Sequence, residues 1–310
     1  MPVADADHVH RGWVPSFLIL ALLWGCSFAF IGIGLEALTP VQVAFWRLAL
    51  GAITLLTILM VTRQSLPRRS STWGHLVVLA TLLNAAPFTL FALGQQSVSS
   101  VLAGIINAAT PLVTLLVVLV AFPEEKPTRT RIAGLLIGFA GILMVLGIWR
   151  GFAVGDWQGV LACLGAIVCY GLAFPYSRRH LSGTGDGPVS LATGQVGLAA
   201  LIMVPVLAIT GVAPESTVNA RVALSMVALG ALSSGVAYIL NFRIIARAGS
   251  TTASSVTYLT PVVAAVIGVS VLGEELTWNQ PVGALVVLLG VAVAQGRLPR
   301  LKRPVRTRTI

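Results

Sequence analysis

The sequence predicts an all-α integral membrane protein of ten transmembrane helices, built as two inverted five-helix repeats. Three observations carry that prediction. The 310 residues are 56% hydrophobic and only 10% charged, with a mean hydropathy of +0.92. A soluble chain averages about 25% charged residues and about 45–50% apolar ones. The apolar residues also fall into ten runs suited to a bilayer core of about 30 Å, which takes about 20 residues of helix. Finally, residues 100–147 are written again at 250–296. The stretch SVLAGIINAATPLVTLLVVLVAFPEEK, then RIAGLLIGFAGILMVLG, returns as STTASSVTYLTPVVAAVIGVSVLGEEL, then PVGALVVLLGVAVAQG. Pro111 meets Pro261, Glu124 meets Glu274 and Glu125 meets Glu275 at an offset of 150. Beyond the acidic pair the offset is 149, so Gly134 meets Gly283 and Gly141 meets Gly290. A duplication on this scale governs every later reading of the fold.

The ten runs lie at 14–34, 40–62, 73–93, 99–121, 131–149, 157–176, 188–211, 221–242, 250–272 and 279–296. They divide the chain into a polar tail (1–13), a first repeat (14–149), a second repeat (157–296) and a basic tail (297–310). The tail MPVADADHVHRGW lacks a small-residue cleavage site before a short apolar core, so the first run is expected to remain as a helix. With the N-terminus inside, 17 of the 20 Lys and Arg residues fall on cytoplasmic segments. Only Arg150 and Arg221 fall outside, and Arg47 sits within a span. That bias predicts that both termini are cytoplasmic. Trp13, Trp73, Trp149, Trp157 and Trp278 stand at span ends, where an amphipathic ring prefers the interface. The net charge of +10 therefore belongs to membrane-flanking loops, and nucleic acid is not an expected partner. Cys26, Cys163 and Cys169 fall inside spans without metal or redox spacing and read as small core residues.

Five spans is an odd number, so the second copy enters the membrane upside down relative to the first. Inverted repeats mark secondary transporters, in which one half rocks against its partner around a midplane site. A passive pore or a membrane enzyme needs no such symmetry. An enzyme would also need clustered carboxylates, histidines or a metal site. None is found, and His8, His10, His75 and His180 are terminal or at span ends. No catalytic residue, metal or cofactor is assigned, since neither a GxGxxG after a strand nor a GxxxxGK[ST] occurs.

The double pattern resembles the drug/metabolite transporter superfamily, in its ten-helix EamA-type members. The residues that carry it are LLWGCSFAF (22–30), PVQVAFWRLALGA (40–52), NAATPLVTLLVVLVAFPEEK (107–126) and RIAGLLIGFAGILMVLG (131–147). In the second copy they are AIVCYGLAFPYSRR (166–179), TYLTPVVAAVIGVSVLGEEL (257–276) and VGALVVLLGVAVAQG (282–296). The resemblance implies export of amino acids, other small metabolites or drugs through a central cavity lined by helices 1, 3, 4, 6, 8 and 9. It implies that helix 2 is peripheral and commonly carries an arginine where Arg47 stands.

Candidate cavity residues are the polar and aromatic side chains inside the spans, since strongly polar groups in lipid face the bundle or a wet cavity. Asn84, Phe88 and Phe91 share one face of helix 3; their equivalents on helix 8 are Ser234, Tyr238 and Asn241. Helix 4 offers Asn107, and helix 9 offers Thr257 and Tyr258. At an offset of 146, Trp24-Gly25 of helix 1 matches Tyr170-Gly171 of helix 6, and Phe28 matches Phe174. Pro111 and Pro261 lie mid-span, where each removes a backbone hydrogen bond and frees a carbonyl, of Asn107 and Thr257 respectively. Those carbonyls are expected to face a substrate, and the prolines to act as hinges.

No Asp or Glu lies well inside a span, which argues against cation–proton exchange of hydrophobic drugs. Arg47, seven residues into helix 2, is expected to snorkel or to cap carbonyls. The cavity is then free of fixed charge, and the expected cargo is neutral or aromatic amino acids exported by alternating access. A passive pore, or a drug or sugar-conjugate carrier of the same fold, is the alternative. The expected partners are a small-molecule substrate and the lipid bilayer of the cell (inner) membrane; no oligomeric state is assigned. The Glu124–Glu125 and Glu274–Glu275 pairs are expected to cap the start of the following helix. Gly134, Gly138, Gly141, Gly283 and Gly290 read as helix-packing surfaces.

Overall fold

An apolar chain in an apolar solvent must pair its backbone groups within the protein, and a helix does so within one segment. The computed structural model describes residues 13–121, 128–147, 149, 156–181 and 184–294. It is helical throughout, and no strand occurs among the described residues. The first copy comprises α1 (Val14–Gly34), α2 (Pro40–Val61), α3 (Ser70–Gly94), α4 (Ser100–Asn107, then Thr110–Ala121) and α5 (Arg129–Leu146). The second comprises α6 (Asp156–Leu181), α7 (Pro188–Thr210) and α8 (Ala220–Val227, Ala228–Val236 and Ala237–Ser254 in succession). It ends with α9 (Ser255–Tyr258, then Thr260–Leu272) and α10 (Asn279–Ala294).

Eight of the ten are long and apolar enough to cross a membrane unaided, and α9 and α10 are shorter apolar helices. The polar tails at 1–12 and 295–310 and the pair Glu124–Glu125 lie outside the described residues. One expected boundary is absent. Residues 243–249 were assigned to a connection, yet the backbone is helical from Ala237 to Ser254. The stretch RIIARAG contains Arg, Ala and Ile, which a helix accommodates, and no proline, and the helix runs on through its one glycine, Gly249.

The pattern of exposure is that of a soluble protein turned inside out. Ile209, Met60 and Val120 are among the most exposed large side chains, whereas Arg47, Asn84 and Gln195 are buried. Apolar groups thus face the surface that lipid covers, and polar groups pair inside.

Helix contacts obey the inverted two-fold relation. The packing of α1 on α9 is repeated by α6 on α4, that of α2 on α8 by α7 on α3, and that of α1 on α8 by α6 on α3. Helices α2 and α7 pack on one another across the same relation, as do α5 and α10.

The α5–α10 pair is held by backbone against backbone. A Cβ built on Gly290 would stand 2.6 Å from the Cα of Gly138 and 2.8 Å from the carbonyl oxygen of Gly134. One on Gly141 would stand 3.0 Å from the carbonyl oxygen of Gly283. With no hydrophobic drive between helices in lipid, this close approach is the source of attraction. At one end of the pair Trp149 and Trp278 stack with ring centroids 5.8 Å apart.

Glycine does the same work nearer the centre. Gly25 lets α1 approach α9 at Thr260–Val263, and its equivalent Gly171 lets α6 approach α4 at Val113–Thr114. The Trp24-Gly25 and Tyr170-Gly171 pairs therefore combine a ring with a site of helix contact.

Glu274 caps a different helix from the one expected. Its carboxylate accepts the backbone N–H groups of Ser100 and Val101, each at 2.9 Å, and the Ser100 hydroxyl. It closes the N-terminus of α4, in the other half of the protein, where unpaired N–H groups and the helix dipole favour an anion. The loop after α9 packs beside α4 and brings the carboxylate there, away from the start of α10.

Two outcomes follow from this packing. Gly290→Ala should destabilise the α5–α10 pair by about 1–3 kcal/mol, since neither opposing backbone atom can move aside; a lower unfolding temperature in detergent would register it. Glu274→Ala should speed amide exchange at Ser100 and Val101 by about tenfold or more, as expected for losing hydrogen bonds to a charged group.

Candidate functional site

The centre of the protein is built where four helices depart from regular α geometry. Pro111 has no N–H to offer and would clash with the carbonyl of Asn107. Helix α4 accordingly opens at Ala108–Ala109 and restarts at Thr110. The Thr110 hydroxyl donates to the Asn107 carbonyl at 2.7 Å. In α9 the Thr260 hydroxyl donates to the Thr257 carbonyl at 3.0 Å, just ahead of Pro261. The two carbonyls expected to face a substrate are thus engaged by the threonine of each Thr-Pro step. That threonine was visible in the sequence, and a hydroxyl three residues past an opened carbonyl was the signal that it closes the gap.

The other two departures are π-helical turns, at Ala80–Ala85 in α3 and Ala228–Val236 in α8. They overlap at an offset of 150, so both copies keep this distortion. Such turns re-aim the side chains that follow and recur at functional sites. Pro87 stands just beyond the first and leaves the Leu83 carbonyl without its helical donor. The Tyr238 hydroxyl donates to that carbonyl at 3.1 Å. The Asn84 amide N–H donates to the Tyr238 hydroxyl at 2.8 Å, and the Gln195 amide N–H donates to the Asn84 carbonyl oxygen at 2.6 Å. Pro87 and Gln195 are the residues of this network that reading the sequence missed.

Between these helices lies a cavity with about 650 Å³ of atom-free space, part of it open to the outside. Trp24, Phe28, Phe88, Phe91, Tyr170 and Phe174 supply an aromatic wall. The rings meet edge-on or tilted, with centroids 5.5 Å apart for Phe28–Phe91 and 6.0 Å for Phe91–Tyr170. Ser27, Asn107, Tyr238, Asn241 and Thr257 add hydroxyl and amide groups.

Eight of the ten side chains anticipated from the sequence therefore border one space. Asn84 does not: it is fully buried, and both ends of its amide are used within the protein. Tyr258 does not either; it packs partly buried beside the cluster containing Phe28 and Ala264. Pro111 and Pro261 stand at helix interruptions rather than at smooth kinks. Among the described residues no acidic side chain lines the cavity, and no group of three or more metal-ligating residues occurs.

Arg47 departs most from expectation. It lines the cavity, and α2 is therefore not peripheral to it. Only 5% of the residue is exposed, so it neither snorkels nor reaches the interface. Its Nε–H donates to the Ser234 hydroxyl at 2.9 Å, and its guanidinium carbon lies 3.5 Å from the Phe88 ring centroid. Close packing of α2 on α8 makes this possible: a Cβ on Gly51 would stand only 3.1 Å from the Gly230 carbonyl oxygen. The cavity is consequently not free of fixed charge.

The contact has an inverted counterpart. Pro40 and Pro188 open α2 and α7, and counted from them Arg47 and Gln195 are equivalent. Their partners, Ser234 and Asn84, are equivalent at an offset of 150. One junction is charged and the other neutral.

Comparison with known proteins assigns the arrangement. The chain matches the EamA-like transporter family twice, over residues 11–147 and 157–295. An uncharacterized transporter of Archaeoglobus fulgidus is 26% identical over 291 residues, covering 88% of this chain and 95% of that protein. The uncharacterized transporter YdfC of Bacillus subtilis is 26% identical over 91% of this chain and 90% of its own length. The uncharacterized inner membrane transporter YedA of Escherichia coli is 27% identical over 83% of this chain and 82% of its own length. A solved crystal structure superposes with a TM-score of 0.68 at 20% identity, covering 95% of this chain and all of that one, which establishes a shared fold. Two matched repeats, spanning nearly all the helices described above, make this chain a member of the EamA-like transporter family.

Proposed function

We propose that this membrane transporter is a secondary carrier of small metabolites, working by alternating access around the central cavity. The observation that carries the reading is the position of that cavity between helices that exchange partners across the inverted relation. If the two halves trade conformations, the same wall faces first one side of the membrane and then the other. Residues 14–149 and 157–296 are the two moving halves in this reading. The interruptions before Pro111 and Pro261 serve as hinges, since each divides a helix without leaving its carbonyl unpaired. The Glu274 contact with the start of α4 acts as a latch at one end.

The aromatic wall suits an apolar or aromatic body, and the amides of Asn107 and Asn241 suit its polar substituents. Aromatic amino acids are thus the first cargo to test, and export is the direction in this reading. The charge bias of the loops supports cytoplasmic termini. Inner membrane residence is supported by the likeness to YedA.

The test is trans-stimulated uptake into proteoliposomes. A carrier speeds uptake of labelled cargo when unlabelled cargo is present on the far side, whereas a pore does not. Asn107→Ala and Asn241→Ala should each lower exchange by about tenfold, the equivalent of one lost hydrogen bond in a site that excludes water. Leu136→Ala, on the lipid-facing side of α5, should leave it unchanged. Flux without trans-stimulation would overturn the carrier reading. Pro111→Ala and Pro261→Ala should slow exchange while equilibrium binding is retained; equal exchange in both variants would remove the hinge assignment.

A further inference from the structure

We propose that Arg47 anchors an anionic group of the cargo, so that the transported class is small organic monoanions, carboxylates with an apolar or aromatic body. The proposal rests on the carrier reading above for transport, and on the cavity alone for binding.

Arg47 is buried within the wall, and a guanidinium is always charged. Such a charge in a low-dielectric interior is costly unless it is paired. Its one hydrogen-bond acceptor among the described residues is the neutral Ser234 hydroxyl, which takes only Nε–H. Phe88 covers one face of the group at 3.5 Å, which offsets part of the cost by cation–π attraction. The four Nη–H donors have no protein acceptor among the described residues, and no acidic side chain lines the cavity there. A carboxylate bound to that fork would supply the missing charge and accept two parallel hydrogen bonds.

The inverted repeat provides an internal control. At the equivalent position Gln195 bridges α7 to α3 by donating to Asn84 at 2.6 Å, as Arg47 bridges α2 to α8 by donating to Ser234. A neutral amide therefore suffices to make this helix junction. The charge at position 47 exceeds what packing requires, and it lies on the cavity wall.

Among the described residues the same wall carries no negative charge to pair with an ammonium. An α-amino group is therefore not a required feature of the cargo. A deaminated acid is recognised better than the corresponding amino acid, whose ammonium has no partner on this wall, and the matching amine is not recognised. One cation also limits the cargo to one anionic group, since a dianion would leave an unpaired charge in the cavity.

The experiment is calorimetric titration of the purified full-length protein in detergent with three probes of one shape: 3-phenylpropionate, 3-phenylpropylamine and 3-phenylpropan-1-ol. The acid should bind about tenfold or more tighter than either other probe, the range expected for charge-assisted hydrogen bonds. Arg47→Gln copies the residue of the other repeat and should remove the preference, leaving acid and alcohol equal. Arg47→Lys should retain part of it. If neither variant folds, as judged by thermal unfolding, the ranking of the three probes on the unaltered protein decides. Equal or tighter binding of the amine or the alcohol would overturn the anchor. In parallel proteoliposome assays, binding of the acid without trans-stimulated exchange would overturn the carrier reading and leave the anchor standing. Exchange of the amine in preference to the acid would overturn the anchor and leave the carrier standing.

Discussion

In a hydrocarbon slab, a backbone carbonyl or amide that loses its helical partner cannot turn to water. The centre of this protein depends on that constraint. Three of the four departures from α geometry sit beside an internal substitute: Thr110 for Asn107, Thr260 for Thr257, and Tyr238 for Leu83. The helices can therefore be interrupted at mid-membrane, where a cavity is needed, without leaving these carbonyls unpaired. A broken helix presents side chains in directions that a continuous one cannot. The polar groups that α4, α8 and α9 contribute to the cavity, Asn107, Tyr238, Asn241 and Thr257, converge for this reason.

Polar pairing and glycine packing then divide the work. The α5–α10 pair, at the edge, is joined mainly by backbone contact, with the Asn279 amide donating to the Met144 and Val145 carbonyls at one end. The junctions of α2 with α8 and of α7 with α3 carry the buried hydrogen bonds. Because both kinds of contact recur across the inverted relation, each solution was found once and used twice. The two copies differ where function can differ, at Arg47 and Gln195.

The architecture was largely legible in the sequence because hydropathy, span length and duplication are global signals. The cavity was legible in part. Phe88, Tyr170, Phe174, Tyr238 and Asn107 stood out as polar or aromatic residues in apolar helices, and helical spacing placed them correctly. Asn84 met the same criterion, but its role depends on Gln195 and Tyr238, from helices far away in sequence. Arg47 was misjudged because depth in a helix does not reveal which face it occupies; the glycines at 51 and 230, which draw α2 against α8, decide that. The π turns were not read from the sequence, although Pro87 stands just beyond the first. Glu274 was correctly read as a helix cap, but which helix it caps is set by three-dimensional proximity.

The unpaired guanidinium of Arg47 also has an electrical consequence. A fixed charge inside a bilayer feels the transmembrane voltage, by about 2.3 kcal/mol per 100 mV if it crosses the whole field. The inverted counterpart, Gln195, is neutral and contributes no such force. Any motion that shifts Arg47 relative to the field therefore does electrical work in the empty protein. An anion bound at Arg47, as proposed above, would cancel that charge, so the loaded protein would move almost without voltage dependence. In the carrier reading, the membrane potential would then act on the return of the empty form, and a duplicated, nearly symmetric scaffold would gain a direction from one side chain.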